Sequence, residues 1–310
     1  MNGTAPRIEI LNPFNDAFAL MKKILFQPFD LKKWFVIGFA SFLAGHIGGL
    51  TPPIGGFQQH QPKPIPSWMP LEQLRPWMPL IIIGFFVAIF LIVIVMMWLR
   101  SRGNFVFTDC IVRDRGAIAQ PWREYRKEGN SFFKFQLGVM FAALIAFVIF
   151  GIIVVSLGLF PSRWERTSGI ILAIGFAFLF ILWVAISIFI ALVYQFMPLV
   201  MYVRRSTAVD AFREVVALIA DHPGPFILFI FFGIVLLLGT MLAAGIVTCA
   251  TCFIAALPYV GTVICLPIYL WLRAFSLLFL RQFGTDYDVW QTLPLPSVPP
   301  IQTPPPLPPT

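Results

Sequence analysis

The sequence predicts an all-α protein, a polytopic transmembrane helical bundle of about six spans with cytoplasmic amphipathic interfacial helices. Composition leads to this fold class, because 59% of the 310 residues are hydrophobic and only 12% are charged. A soluble domain carries about 25% charged residues. The apolar residues also form runs longer than the roughly 18 residues that a spanning helix needs. These runs lack the alternation of a transmembrane β-barrel.

The chain divides into three predicted domains. Residues 1–33 form a cytoplasmic amphipathic segment, because apolar side chains recur at helical spacing from Phe14 to Phe26. Residues 34–290 form the membrane domain. Residues 291–310 contain nine prolines, and this composition predicts a disordered, extended tail.

The membrane domain contains six predicted spans, at about 34–50, 79–99, 135–160, 169–197, 226–248 and 258–280. A basic segment, residues 100–134, separates the second span from the third and holds eight of the 22 Lys and Arg residues. Its aromatic residues suit an interface and its acids lie among its arginines. We therefore expect it to fold as a cytoplasmic cap over the spans.

Basic residues predict the orientation of the chain. With six spans, the segments on one side carry 18 Lys and Arg residues and the loops on the other side carry 4. Cytoplasmic loops are enriched in Lys and Arg. Both termini and the basic segment are therefore expected in the cytoplasm.

An internal repeat is a further hypothesis. Each pair of predicted spans follows an amphipathic stretch, at 13–26, 117–133 and 208–221, and Asp-Ala-Phe occurs both at 16–18 and at 210–212. The pattern suggests three units of surface helix plus membrane hairpin, although three matched residues also arise by chance.

The basic segment supplies the candidate ligand contacts. Anionic headgroups on the cytoplasmic face attract basic residues near the membrane, and the candidates here are Arg113, Arg115, Arg123, Arg126 and Lys127. Pairing of these cations with neighbouring acids is the alternative. The net charge of +8 does not indicate nucleic acid, because no aromatic–basic platform or helix-turn-helix pattern accompanies it.

A stripe of small residues, Ser41, Gly45 and Gly49, lies in the first predicted span and would let another helix approach closely. His46 lies beside this stripe. A histidine in a membrane helix can be a proton or metal site. Since no predicted span contains an acidic partner, a structural or interfacial role is favoured.

Two other features carry open alternatives. Cys249 and Cys252 have redox-motif spacing and would face the outer side, where a disulfide can form, but Cys is also a common packing residue. Arg273 lies inside the last predicted span, two turns before Arg281. It is expected to extend to the cytoplasmic interface, and an anion site is the alternative.

Enzyme signatures are missing from the sequence. The three histidines show no metal-ligand spacing, and no nucleophile elbow, phosphate loop or dinucleotide fingerprint occurs. We therefore expect a protein that is not an enzyme and that needs no cofactor or metal.

Three blocks of sequence resemble an uncharacterised bacterial family of polytopic membrane proteins that carry a domain of unknown function. These blocks are Leu25-Phe-x-Pro-Phe-Asp, Arg102-Gly-Asn-Phe with Trp122-Arg-Glu-Tyr-Arg, and Leu257-Pro-Tyr-Val-Gly. The family is similar in layout to the membrane domain of some glycerophosphodiester phosphodiesterases. The resemblance covers about 10–290 and implies a bacterial inner-membrane location. It implies no activity, because the soluble catalytic barrel of those enzymes is absent.

These observations predict a non-enzymatic scaffold or accessory protein of the inner membrane. Its expected partners are membrane lipids with anionic headgroups, other proteins or a second copy of itself. A transporter or channel component for a neutral or amphiphilic solute is the second hypothesis, and a membrane-embedded enzyme is the third.

Overall fold

The computed structural model describes residues 8–46, 77–158, 166–251 and 257–291. In these ranges the regular elements are helical and no strand occurs. The helices are α1 (Leu11–Phe26), α2 (Leu31–Leu43), α3 (Met78–Val112), α4 (Ala119–Glu124), α5 (Arg126–Gly158), α6 (Arg166–Arg204), α7 (Ala208–Asp221), α8 (Pro223–Ala250), α9 (Pro258–Ile264) and α10 (Leu266–Arg281), followed by a 3-10 turn at Thr285–Tyr287.

Four helices, α3, α5, α6 and α8, are long and apolar enough to cross a membrane. One of them, α3, has 35 residues and is therefore about 52 Å long, whereas the hydrocarbon core of a bilayer is about 30 Å thick. The prediction of an all-α protein with helices that could span a membrane is confirmed at this level. The helix α3 does not stop at Arg100, where the basic segment was predicted to begin, but continues to Val112.

The first and last predicted spans are not long helices in the described residues. The predicted span 34–50 overlaps α2, which has 13 residues and is followed by Gly45 at φ +91°, a conformation that glycine adopts without strain. The predicted span 258–280 is divided into α9 and α10 at Cys265. Pro267 follows at once and lacks the N–H that would continue α9.

The buried residues concentrate at one end of the molecule, which we call the base. It consists of the short helices α1, α2, α4, α7, α9 and α10 together with 100–112 of α3, 126–135 of α5, 192–204 of α6 and 223–229 of α8. In the base α1 packs along α10, α2 packs between α3 and α9, and α7 packs on α6. Its largest fully buried side chains include Phe105, Phe107, Phe132, Phe196 and Phe279.

The rest of the long helices lies outside the base and is exposed. These apolar segments are 78–99 of α3, 141–153 of α5, 177–190 of α6 and 230–250 of α8, and most of their large side chains are exposed. No neighbouring atom lies within 4 Å of the position that a Cβ on Gly84, Gly151 or Gly239 would take. The apolar segments therefore pack on one another far less closely than the base does.

Two of the three predicted amphipathic stretches are single helices. The apolar face of α1 buries Ala17 and Met21 where α1 packs on α10. The N-terminus of α7 is capped by Thr207, whose side chain accepts a hydrogen bond from the Asp210 N–H. The middle stretch, 117–133, is instead divided between α4 and the start of α5. The three proposed repeat units therefore differ locally. Most of the predicted tail, from residue 292 onward, lies outside the described residues.

Candidate functional site

The centre of the base is a buried carboxylate on α3. The Asp109 side chain is 0% exposed, and its Oδ1 accepts a hydrogen bond of 3.0 Å from the Tyr202 hydroxyl of α6. The same oxygen lies 3.1 Å from Nε of Arg113. The other oxygen, Oδ2, accepts hydrogen bonds of 3.0 and 2.8 Å from Nε and Nη2 of Arg115. A buried carboxylate needs such partners, since an unpaired buried charge is costly.

A second layer of charges extends this network toward α5 and α6. Glu124 Oε1 lies 3.1 Å from Arg113 Nη2 and is also paired with Arg205. The Arg205 guanidinium lies 3.8 Å from the centroid of the Tyr125 ring, which stacks on Tyr202 at 4.8 Å. The network therefore joins the base ends of α3, α4 and α6, and every acid in it has a cationic partner.

The electrostatics of the network favour the charged arginines. Partial burial disfavours the cation of Arg113, but Asp109, Tyr202 and Glu124 outweigh burial and raise the pKa of Arg113 above its ordinary value. Burial likewise opposes the charge of Arg205, and Tyr125 with Glu124 raises the pKa of Arg205 overall. A carboxylate neutralised in this way is suited to hold helices together and is poorly placed to bind an incoming cation.

Close backbone contacts explain the Arg-Gly-Asn sequence at 102–104. A Cβ on Gly103 would lie 2.3 Å from the Leu43 carbonyl carbon, so only glycine lets α2 approach α3 this closely. The Arg102 side chain donates to Oδ1 of Asn130 at 2.8 Å and lies over the Trp98 ring at 4.5 Å. The conspicuous residues of this block therefore make contacts inside the protein.

The five candidate headgroup contacts fall into two groups. Arg113 and Arg115 are paired with acids of the base, which was the alternative to lipid contact in the sequence analysis. Arg123, Arg126 and Lys127 are exposed, and none of them forms an ion pair within the described residues. Contact of these cations with lipid stays a prediction, and the three exposed ones are the better placed.

The base also contains a buried cation, Arg273 of α10, which is 8% exposed. Its Nε and Nη2 donate to the Thr108 hydroxyl of α3 at 3.2 and 2.9 Å. Thr108 is 0% exposed and donates to the Asn104 carbonyl at 2.8 Å. The Arg273 guanidinium is therefore held by Thr108 inside the base, and its expected position at the cytoplasmic interface stays a prediction.

His46, which follows α2 in the sequence, lies near this cation. Its ring packs on Tyr269 at 4.9 Å and on Phe107 at 5.4 Å between centroids, and its Nδ1 lies 3.2 Å from the Ser41 carbonyl. His46 is within electrostatic range of both Arg273 and Arg100. In the described residues no group of histidine, cysteine and acidic side chains could hold a metal ion.

An apolar groove of about 340 Å³ lies between α6, α8 and α10. Leucine, isoleucine and phenylalanine side chains line most of it, including Leu192, Ile234 and Phe275. Gln195 is a polar exception, and its Nε2 donates to the Ser276 hydroxyl at 2.9 Å. The groove has room for an alkyl chain, and its sides are continuous with the apolar segments of α6 and α8.

The other candidate residues lie apart from this groove. Ser41 is buried in α2, Gly45 lies beyond the end of α2 against the Arg100 side chain, and Gly49 lies outside the described residues. The three therefore do not line one described helix as predicted, because α2 ends at Leu43. Cys249 is an exposed free thiol near the end of α8. Cys252 lies outside the described residues, so their pairing stays a prediction.

Most of the chain matches one protein family. Residues 9–280 match a family of unknown function, DUF7544. The chain belongs to this family. No curated protein and no solved structure matches it. The DUF7544 match confirms the expected membership of an uncharacterised family, whereas no comparison supports the expected similarity to the phosphodiesterase membrane domain or a bacterial origin.

Two contacts at the site went unpredicted from the sequence. The Asp109 carboxylate binds Tyr202, which is 93 positions away, and Thr108 binds Arg273, which is 165 positions away. A lone arginine in an apolar run did mark Arg273 as unusual. Nothing in the local sequence indicates that Tyr202 would lie beside Asp109.

Proposed function

We propose that this protein is a non-enzymatic, multi-pass protein of the bacterial inner membrane that binds lipids and serves as a scaffold or accessory to partner proteins. Both termini, and with them the base, lie in the cytoplasm. The excess of Lys and Arg in the segments that form the base supports this orientation. Up to six crossings remain part of the proposal, and α3, α5, α6 and α8 would supply four of them.

The observation that carries this proposal is the exposure of the apolar segments. In α3 and α5, no residue of the most apolar 18-residue stretch is buried. In α6 and α8, 11% of the corresponding stretch is buried. Apolar surface on this scale needs a covering, which in a membrane is lipid or another protein. The chain therefore offers an unusually large surface to both.

The exposed cations of the base support a preference for anionic headgroups. Arg123 lies in α4 and Arg126 is the first residue of α5. Neither forms an ion pair within the described residues of the base. A cation near an anionic membrane surface contributes about 1 kcal/mol to binding. Removing both should therefore weaken binding of anionic lipid by about 2 kcal/mol, or roughly thirtyfold.

The test is lipid binding by the Arg123→Gln/Arg126→Gln double variant. Native mass spectrometry of protein in nanodiscs would measure retention of phosphatidylglycerol against phosphatidylcholine. We expect the double variant to lose the preference for phosphatidylglycerol. The control is Arg163→Gln/Arg166→Gln, which removes two charges from the opposite side of the proposed topology and should keep the preference. Equal retention of both lipids by the unaltered chain would contradict the proposal.

A transporter for a neutral or amphiphilic solute is the second candidate. The groove between α6, α8 and α10 favours it, because the Gln195–Ser276 pair offers hydrogen bonds within apolar walls. Uptake of a neutral amphiphile by liposomes that contain the purified protein, compared with empty liposomes, tests this candidate. Equal uptake would remove it and leave lipid association as the function.

A further inference from the structure

Arg273 is a buried cation whose charge no carboxylate offsets in the described residues. Burial is the influence that acts on its guanidinium, and no acidic side chain contributes. The nearest buried acid in the sequence of α3, Asp109, is already bound by Arg113, Arg115 and Tyr202. Arginine cannot escape the cost of burial by losing its proton. An unpaired buried charge is strongly unfavourable, so a counter-anion is expected beside it.

A second cation, Arg100, lies within electrostatic range of His46, as Arg273 does. The groups that face this region are Thr108 and Arg100 of α3, His46 beyond α2 and Tyr269 of α10. Of these, Arg100 is exposed, and its side chain lies against Gly45, next to His46. The cluster therefore reaches the protein surface at Arg100 and extends inward to Arg273.

The geometry of the guanidinium leaves one edge available. Thr108 accepts hydrogen bonds from Nε and Nη2, and among the described residues Nη1 donates to no group. A planar guanidinium binds phosphate and carboxylate oxygens through neighbouring N–H groups. With Thr108 fixing the orientation of the ring plane, the remaining N–H groups are pre-organised for an anion.

The position of the cluster along α3 favours phosphate. Residues 78–99 of α3 form its apolar segment, and these 22 residues measure about 33 Å, close to the thickness of the hydrocarbon core. Arg100 follows directly, so it lies at the level of the phosphate groups of one leaflet, and Thr108, which holds Arg273, lies about 12 Å further along α3. In the proposed orientation this is the cytoplasmic leaflet.

We propose that Arg273, Thr108, His46 and Arg100 form a binding site for a phosphate group at the junction of the base and the apolar segments. The assignment to a lipid headgroup rests on the proposed function, whereas the anion site itself rests on the contacts of Arg273. Free phosphate presents the same chemistry, and the experiment distinguishes the two sources.

The experiment uses the purified full chain in detergent and compares inorganic phosphate, phosphatidylglycerol and phosphatidylcholine as probes. Thermal stabilisation and native mass spectrometry report binding of each. Arg273→Gln removes the charge with little change of volume, and we expect roughly tenfold to hundredfold weaker binding of the probe that the unaltered chain prefers. Arg213→Gln, on the exposed face of α7 in the base and outside the cluster, is the control and should leave binding at this site unchanged.

A second variant covers the case in which Arg273→Gln does not fold. Thr108→Asp places a carboxylate against the guanidinium, so the chain supplies its own counter-anion. We expect this variant to fold, to be more stable than the unaltered chain without added anion, and to lose the response to the probe.

The outcomes separate the two proposals. A response to phosphatidylglycerol or to inorganic phosphate that disappears in Thr108→Asp supports the site and names the source. Lipid binding that is unchanged in both variants overturns the site while the proposed function stands. Absence of lipid binding by the unaltered chain, with a phosphate response that depends on Arg273, removes the lipid function and keeps the anion site. No response to any probe overturns the site as well.

Discussion

At the scale of single residues, the base is stabilised by the neutralisation of a buried charge. Asp109 accepts from Tyr202 and pairs with two arginines, Arg113 and Arg115. Such a network contributes little net stability when compared with apolar residues, but removal of Asp109 leaves two partly buried arginines without that partner. Removal of Asp109 therefore takes one carboxylate from both arginines, while Arg113 keeps its pair with Glu124.

Replacement of the central acid tests this dependence. Asp109→Asn keeps the shape of the side chain and removes its charge, leaving Arg113 and Arg115 without their buried partner. We expect a loss of about 3–5 kcal/mol in the free energy of unfolding, measured by denaturant unfolding in detergent micelles. Asp114→Asn is the control, because Asp114 pairs with Lys33 and its side chain is 47% exposed. That change should cost about 0–1 kcal/mol, and equal losses in the two variants would contradict the account.

At the scale of elements, glycine decides how closely two helices meet. The position of a Cβ on Gly103 is 2.4 Å from the Leu43 carbonyl oxygen and 2.6 Å from the Ala44 nitrogen. Both neighbours are backbone atoms and cannot rotate away as a side chain could. The contact of α2 with α3 therefore requires glycine at this position.

A pair of substitutions in one helix tests the requirement. Gly103→Ala should separate α2 from α3 and lower the free energy of unfolding by about 1–3 kcal/mol, the usual cost of overpacking. Gly84→Ala lies in the same helix with no atom within 4 Å of its Cβ position, and should be neutral or stabilising by up to about 1 kcal/mol through helix propensity. Thermal unfolding in detergent compares the two, and a Gly103→Ala variant as stable as Gly84→Ala would show that α2 is not packed there.

Local sequence predicted some elements and missed others for identifiable reasons. The apolar runs of α3, α5, α6 and α8 predict their own helices, because a long run without charges is compatible with few structures in a membrane. The continuation of α3 to Val112 was missed, because charges at Arg100 and Arg102 were interpreted as the end of a span. In the folded chain Arg102 is buried by contacts with α5 and with two tryptophans, and such contacts depend on where other helices lie.

The site shows the same division between composition and contact. The unusual character of Arg273 is visible in the sequence as a single charge in an apolar run, whereas its partner Thr108 is an ordinary residue 165 positions away. The pairing of Arg205 with Glu124, 81 positions apart, is equally hidden. Pairs across helices follow from the relative positions of the helices, which spacing along the chain does not determine.

At the scale of the whole molecule, the two ends of the described chain are held together in the base. The Glu9 N–H donates to Gln282 Oε1 at 2.8 Å, and Gln282 Nε2 donates to the Glu9 carbonyl at 2.8 Å. Beyond α10, Arg281 pairs with Asp288 at 2.8 Å. Residues 8–10 and 282–291 are therefore expected on the same side of the membrane.

Fusion reporters test this arrangement and its direction together. Green fluorescent protein fused before residue 8 or after residue 291 should fluoresce, since it folds in the cytoplasm, and alkaline phosphatase at the same positions should be inactive. Insertion of each reporter after Thr251, beyond the end of α8, should give the opposite pattern. Opposite signals from the two termini would contradict the contacts of Glu9 with Gln282. Active alkaline phosphatase at both termini, with no fluorescence there, would be consistent with those contacts. It would reverse the orientation inferred from the basic residues.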